Sequence, residues 1–115
     1  MVIVNAGANR IRDLINTDLT IGLAGTGQTA PTAANTGLES EVTDVRATVS
    51  AIVSSKSIQV SHVISSVSGT GHTFSEWGNM MNSSATLLSR SVTAQVTHTG
   101  TDEISKLTTY SILND

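Results

Sequence analysis

The chain has 115 residues, a formal net charge of -3, 13% charged and 3% aromatic residues, and no Cys. That length fits a single domain, residues 1–115, and the lack of Cys excludes disulfides and thiolate metal sites. The charge balance leaves no basic patch for nucleic acid, and no apolar run is long enough to span a membrane as a helix.

More than a quarter of the residues are Ser or Thr, a bias shared with disordered chains. Here 38% of residues are hydrophobic and they are patterned, so a folded sheet protein is expected. Met1 to Gly7 has neither the basic start nor the apolar centre of an export signal, so Sec export is not expected. Asn9 to Asn16, NRIRDLIN, predicts a short helix. Ile11, Leu14 and Ile15 fall at i, i+3, i+4 on its apolar side, with Arg10, Arg12 and Asp13 opposite. So short a helix needs a sheet to pack on.

Asp18 to Ala24 reads as a strand, with Leu19, Ile21 and Leu23 alternating. Gly25 to Gly37, GTGQTAPTAANTG, holds the only Pro and no large apolar residue, so it is a surface loop. From Val42 to Ser54 the alternation is clearest. Val45, Ala47, Val49, Ala51 and Val53 share one face, with Asp44, Arg46, Thr48 and Ser50 on the other. Ser54 to Ser57 is of hairpin length, and Ile58, Val60, His62 and Ile64 alternate after it. Ser68 to Gly71 turns the chain into a strand over His72 to Gly78, and Asn79 to Ala85 reads as a hairpin loop. Leu88, Val92, Ala94 and Val96 mark the next strand, and His98 to Asp102 the next turn. Ile104 to Leu113 forms the last strand, with Ile104, Tyr110 and Ile112 on one face. Six or seven strands joined by short turns imply antiparallel pairing in a mainly β sandwich or small barrel.

Chemical motifs are sparse. Gly22, Gly25 and Gly27 run G-x-x-G-x-G, without a following Lys-Ser/Thr or a βαβ unit, and read as a flexible turn. His62, His72 and His98 are scattered, so a hydrogen-bonded core or interface histidine is expected rather than a metal site. No G-x-S-x-G elbow accompanies the many serines. Asn82-Ser83-Ser84 fits a glycosylation sequon but reads as loop. Glu76 and Arg90 flank the hairpin and suggest a cross-strand ion pair, worth about a few tenths of a kcal/mol when exposed. No catalytic residue, cofactor or metal is assigned.

The order of the pieces LAGTGQTAPTAANTGLESEV, FSEWG, LLSR and TGTDEI resembles small structural proteins and domains of tailed bacterial and archaeal viruses. In that group a stretch of the form aiGtGttaptaadtaLesEv precedes an EvGlfd…gtLlsR hairpin, and tail-fibre and tail-collar domains carry a similar tEiGLfd hairpin. The likeness runs from about Leu19 to Ile112. Its matching positions are Gly25, Thr26, Gly27, Pro31 and Glu41, then Glu76, Gly78, Leu87, Leu88 and Arg90. Trp77 and Asn79-Met80-Met81 depart from it.

The resemblance implies a non-enzymatic virion protein, either a capsid decoration (cement) protein or a tail-fibre or baseplate adaptor. It would be made in the host cytoplasm and held on the capsid or tail surface. The expected partners are further copies of the chain, with a homotrimer as one fitting order, and the major capsid protein or tail and baseplate proteins. Nucleic acid and membrane are not expected partners. Candidate contact residues are Thr26, Gln28 and Pro31 in the loop, and Trp77, Met80, Met81 and Arg90 in the hairpin; the N-terminal segment is a further candidate. The loop reads as separable, so deleting Gly25 to Asn35 is expected to leave a folded domain. The alternative is a carbohydrate- or receptor-binding β-sandwich module stacking sugars on Trp77 and Tyr110.

Overall fold

A computed structural model describes residues 1–54 and 56–111. The chain runs α1 (Asn5–Asp18), β1 (Leu19–Gly25), a 3-10 turn (Thr43–Val45), β2 (Ala47–Thr48), β3 (Ser50–Ser54), β4 (Ser57–Ile64), β5 (Thr73–Met81), β6 (Thr86–Thr97) and β7 (Ile104–Ser111). Two antiparallel sheets, β2-β1-β5-β6 and β3-β4-β7, stack as an open sandwich rather than a closed barrel. The mainly β class and the N-terminal helix are as expected. Ser55 of the expected hairpin, and Ile112 and Leu113 of the last strand, lie outside the described residues.

The alternation in β4 reads directly as burial. Ile58, Val60, His62 and Ile64 are all at most 3% exposed and point into the sandwich. On the facing sheet, the β1–β5 register sets Ala24 beside Trp77 and Gly22 beside Asn79. These side chains meet the second sheet. Trp77 stands edge-on to His62, 6.2 Å between ring centroids. Asn79 Nδ2 donates to the Tyr110 hydroxyl of β7 at 2.6 Å. One core cluster is Ala24, Val45, Ile64, Phe74 and Trp77; the other is Leu19, Val49, Ile58 and Val60. At Gly22 side chains of the facing sheet and of its entry segment crowd the backbone. A Cβ there would sit 2.6 Å from the His62 ring and 2.7 Å from Val49, so this glycine answers a need for space.

Four expectations are corrected. Val42 to Ser54 is not one strand: Val45 lies in the 3-10 turn, β2 pairs with β1, and β3 pairs with β4. Period-two alternation survives a corner at which a strand changes sheets, and here Val45 and Val49 stay buried on either side of it. Ala51 and Val53 do not join them, because β3 is an exposed edge strand along its whole length. The hairpin strand continues through Asn79 and Met80 to Met81, leaving Asn82–Ala85 as the turn. Asp18 ties that turn down, accepting from Ser83 N–H at 2.8 Å and Ser83 Oγ at 2.6 Å. The hydroxyl and then the amide of Ser83 hold the Asp18 carboxyl below its ordinary value. Leu88 and Val96 do not face the core; β6 is an edge strand with register shifts, and both residues are about two-fifths exposed.

The helix is longer than expected and rotated about its axis, by roughly a quarter turn at 3.6 residues per turn. Ala8, fully buried, faces the body, and the half-buried Ile15 packs on the second core cluster. Arg12 donates from Nη1 to Ser54 O on β3 at 2.9 Å, capping an edge carbonyl. Asn9 and Asn16 each bury a side-chain oxygen. Ile11 is 38% exposed and Leu14 54%. Helical spacing defines a stripe but not its orientation, and a small Ala8 plus a long Arg12 fit the sheet where two bulky aliphatics would not.

Candidate functional site

The second face of the β1-β5-β6 sheet is covered by the loop between β1 and the 3-10 turn. In register, Gly25 pairs with Glu76 and Gly78 with Arg90, so Glu76 and Arg90 point up under that loop. The loop leaves and returns at one place: Thr26 N–H donates to Ser40 O at 3.0 Å, and Val42 N–H to Ala24 O at 2.9 Å.

Glu76 is completely buried and saturated. Its Oε2 accepts from Gly27 N–H at 2.8 Å and Ser40 N–H at 2.7 Å. Its Oε1 accepts from Glu39 N–H at 2.8 Å and Arg90 Nε at 2.9 Å. Beside it, Ser75 Oγ donates to Gly27 O at 2.8 Å. Burial pushes the Glu76 carboxyl up, but the Ser40 amide, Arg90 and the Glu39 and Gly27 amides outweigh it and hold the group below the ordinary glutamate range. The expected cross-strand ion pair forms, but the worth of an exposed pair does not apply to it: the two side chains are 0% and 3% exposed, because the loop closes over them.

The same geometry explains the glycines of GTG. A Cβ on Gly25 would lie 2.4 Å from Ser40 O, and one on Gly27 2.5 Å from Glu76 Oε2. Neither has a positive φ. They are there so that backbone can approach a carboxylate, which replaces the reading of a flexible turn. It also removes the premise that Gly25 to Asn35 is separable, since that deletion would uncover Glu76 and Arg90.

Beside Arg90 the loop borders an open cleft of about 390 Å³. Thr29, Asn35, Thr36 and Glu39 line it with Arg90. Arg90 Nη1 donates to Asn35 Oδ1 at 3.3 Å, while its buried Nη2 has no partner. Glu39 accepts from the Thr29 hydroxyl and from Gln28 N–H at 3.0 Å. The Thr29 hydroxyl, then its amide, hold this carboxyl below its ordinary value.

Of the candidate contact residues, Gln28 and Pro31 are exposed on the loop, and Thr26 is partly covered. Trp77 and Met80, 5% and 8% exposed, are core residues in this chain, and Met81 packs half-buried against the second cluster. Arg90 belongs to the Glu76 lock. Trp77 and Met80 are therefore corrected as contact residues, β5 being covered there by the second sheet and by the loop, while Met81 keeps part of its surface and Arg90 lies on β6. His62 and His98 are buried, and each ring places Nε2 2.9 Å from a backbone carbonyl, Val45 O and Ser65 O. Among the described residues no group of three His, Asp or Glu is placed to hold a metal. None of their helices is long and apolar enough to cross a membrane. Sequence reasoning missed Ser40, Glu39 and Asn35. The available signal was an acid between Phe74 and Trp77 in a strand, opposite a loop with two glycines. Comparison with protein-family models, curated proteins and solved structures finds no match for this chain.

Stability is expected to fall in two acid steps. Burial lowers the His62 value below its ordinary 6.5, with the Val45 carbonyl opposing. The folded state thus prefers neutral His62, and its contribution, complete above about 6.5, is lost as pH falls through the folded value. Glu76 acts likewise below about 4.3. Melting temperature measured from pH 8 to pH 3 should show both steps, and His62→Gln should flatten the first. A level profile between pH 7 and 5 would contradict this.

Proposed function

We propose that the chain is a non-enzymatic structural protein of a tailed-virus particle, a capsid decoration protein or tail adaptor that works as a homo-oligomer. The observation that carries this reading is the outward face of the helix. α1 turns Ala8, Arg12 and Ile15 to its own sheet and leaves Ile11 and Leu14 exposed, following an exposed Met1, Val2, Ile3 and Val4. Val4, Gly7, Ile11 and Leu14 follow a 3-4 spacing, the seam by which helices of separate chains associate. A surface that exposes aliphatics while burying Asn oxygens is built for neighbours. The positions carrying the viral resemblance support the same reading. Gly25, Gly27, Glu76 and Arg90 converge on one loop lock that has a structural task and no substrate-like opening at the carboxylate.

Trp77 offers no face for stacking a sugar, and the Tyr110 hydroxyl is engaged by Asn79 and Ser89. Neither ring lends support to the stacking module. Sedimentation of the purified chain should give an oligomer that Leu14→Glu reduces to monomers with unchanged circular dichroism. Gradient-purified particles of the encoding virus should contain the chain in fixed ratio to a capsid or tail protein. Its absence from such particles would sink the reading.

A further inference from the structure

We propose that the cleft between the loop and Arg90 is a binding site for a neutral polyhydroxylated ligand, a single sugar ring held by hydrogen bonds rather than by stacking. This goes beyond particle attachment and does not rest on it.

The size is suitable: about 390 Å³ lies within the usual range of small-ligand pockets, roughly 300–1,000 Å³. The wall presents donors and acceptors together. Arg90 brings one edge of its guanidinium: Nη1 donates to Asn35 Oδ1 at 3.3 Å and keeps a second N–H for an incoming oxygen. Glu39 and the Asn35 side-chain oxygen are acceptors on the same wall, and Thr36 adds a hydroxyl.

Charge selects among ligands. Glu76 already neutralises Arg90, so Glu39 leaves the wall net negative and an anion is disfavoured. A metal cation finds no group of three His, Asp or Glu to hold it among the described residues. Adjacent hydroxyls accept from Arg90 and donate to Glu39 at once. Leu38 and Ala34, the apolar parts of the wall, suit the C–H face of a sugar.

The test is amide chemical-shift titration of the intact chain with glucose, galactose, mannose and N-acetylglucosamine, up to about 50 mM, to cover millimolar affinities. At least one sugar should give saturable shifts confined to Thr29, Ala34–Glu39 and Arg90. Glu39→Gln should weaken binding about tenfold, the value of one charged hydrogen bond. Thr36 makes no hydrogen bond to another described residue, so Thr36→Val tests the site without disturbing the loop and should weaken binding severalfold. Absence of saturation with every sugar would overturn the proposal. So would equal shifts from glycerol, saturation by glycylglycine amide in place of sugar, or indifference to Thr36→Val.

Discussion

Glu76→Ala is expected to unfasten the loop and to destabilise the whole domain by on the order of 3–5 kcal/mol, the usual cost of removing one partner of a buried ion pair. Arg90 would be left 3% exposed with its main acceptor gone, and the amides of Gly27, Glu39 and Ser40 would lose theirs. The loop can relieve this only by lifting into water, which breaks the Thr26–Ser40 and Val42–Ala24 contacts as well. Against a typical net stability of about 5–15 kcal/mol the loss is large. Urea unfolding followed by the fluorescence of the single Trp measures it, and amide exchange at Gly27, Glu39 and Ser40 reports the loop itself. Glu76→Gln should fall between the parent and Glu76→Ala, because it keeps one acceptor oxygen and loses the charge. Replacing both Glu76 and Arg90 with Leu should recover part of the loss, since no charge is then stranded. A cost below about 1 kcal/mol for Glu76→Ala, as for an exposed pair, would mean the carboxylate does not hold the loop.

That lock shows where sequence reading reaches its limit. Period-two alternation identified β4 almost residue by residue, because both its neighbours, β3 and β7, are in the same sheet and only one of its faces is buried. The same signal fused β2 and β3, because side-chain parity carries no information about which sheet a strand has joined. In α1 the stripe was visible, yet its orientation depended on Ser54 O needing a donor and on Ala8 fitting close to the sheet. Glu76 and Arg90 were noticed as a pair, from hairpin register alone. Their burial was not legible, because it depends on a loop some 40 residues earlier in the chain whose amides, rather than side chains, bind the carboxylate. Backbone donors leave no residue-type signature; the glycines that admit them do, and Gly25 and Gly27 were read as flexibility rather than as close approach. Trp77 and Met80 were candidates for contact because a large side chain in a sparse hairpin reads equally well as contact or core.

Phe74→Ala is expected to cost about 3–5 kcal/mol, the range for truncating a buried Phe. Phe74 is fully buried near the start of β5. Its ring centroid lies 6.1 Å from Trp77, 6.1 Å from His72 and 6.4 Å from His98, and it joins Ala24, Val45 and Ile64 in one cluster. The chain has one Phe, one Trp and one Tyr, and Tyr110 packs against the other cluster, so no spare ring is at hand to fill the void. The surroundings resist collapse. Gly69, at φ +70, sits where a Cβ would be 3.0 Å from Phe74 Cζ, and this turn is bonded to the end of β6 through Gly71 N–H and His98 O. His98 itself is held to Ser65 O. A cavity enclosed by hydrogen-bonded backbone closes less readily than one lined by free side chains, which places the cost toward the upper part of the range. Leu107→Ala, on the outward face of β7 and 55% exposed, should change stability by no more than about 0.5 kcal/mol. Urea midpoints of the two variants decide the matter: a Phe74→Ala loss close to that of Leu107→Ala would mean that the β5 cluster is not what holds the two sheets together.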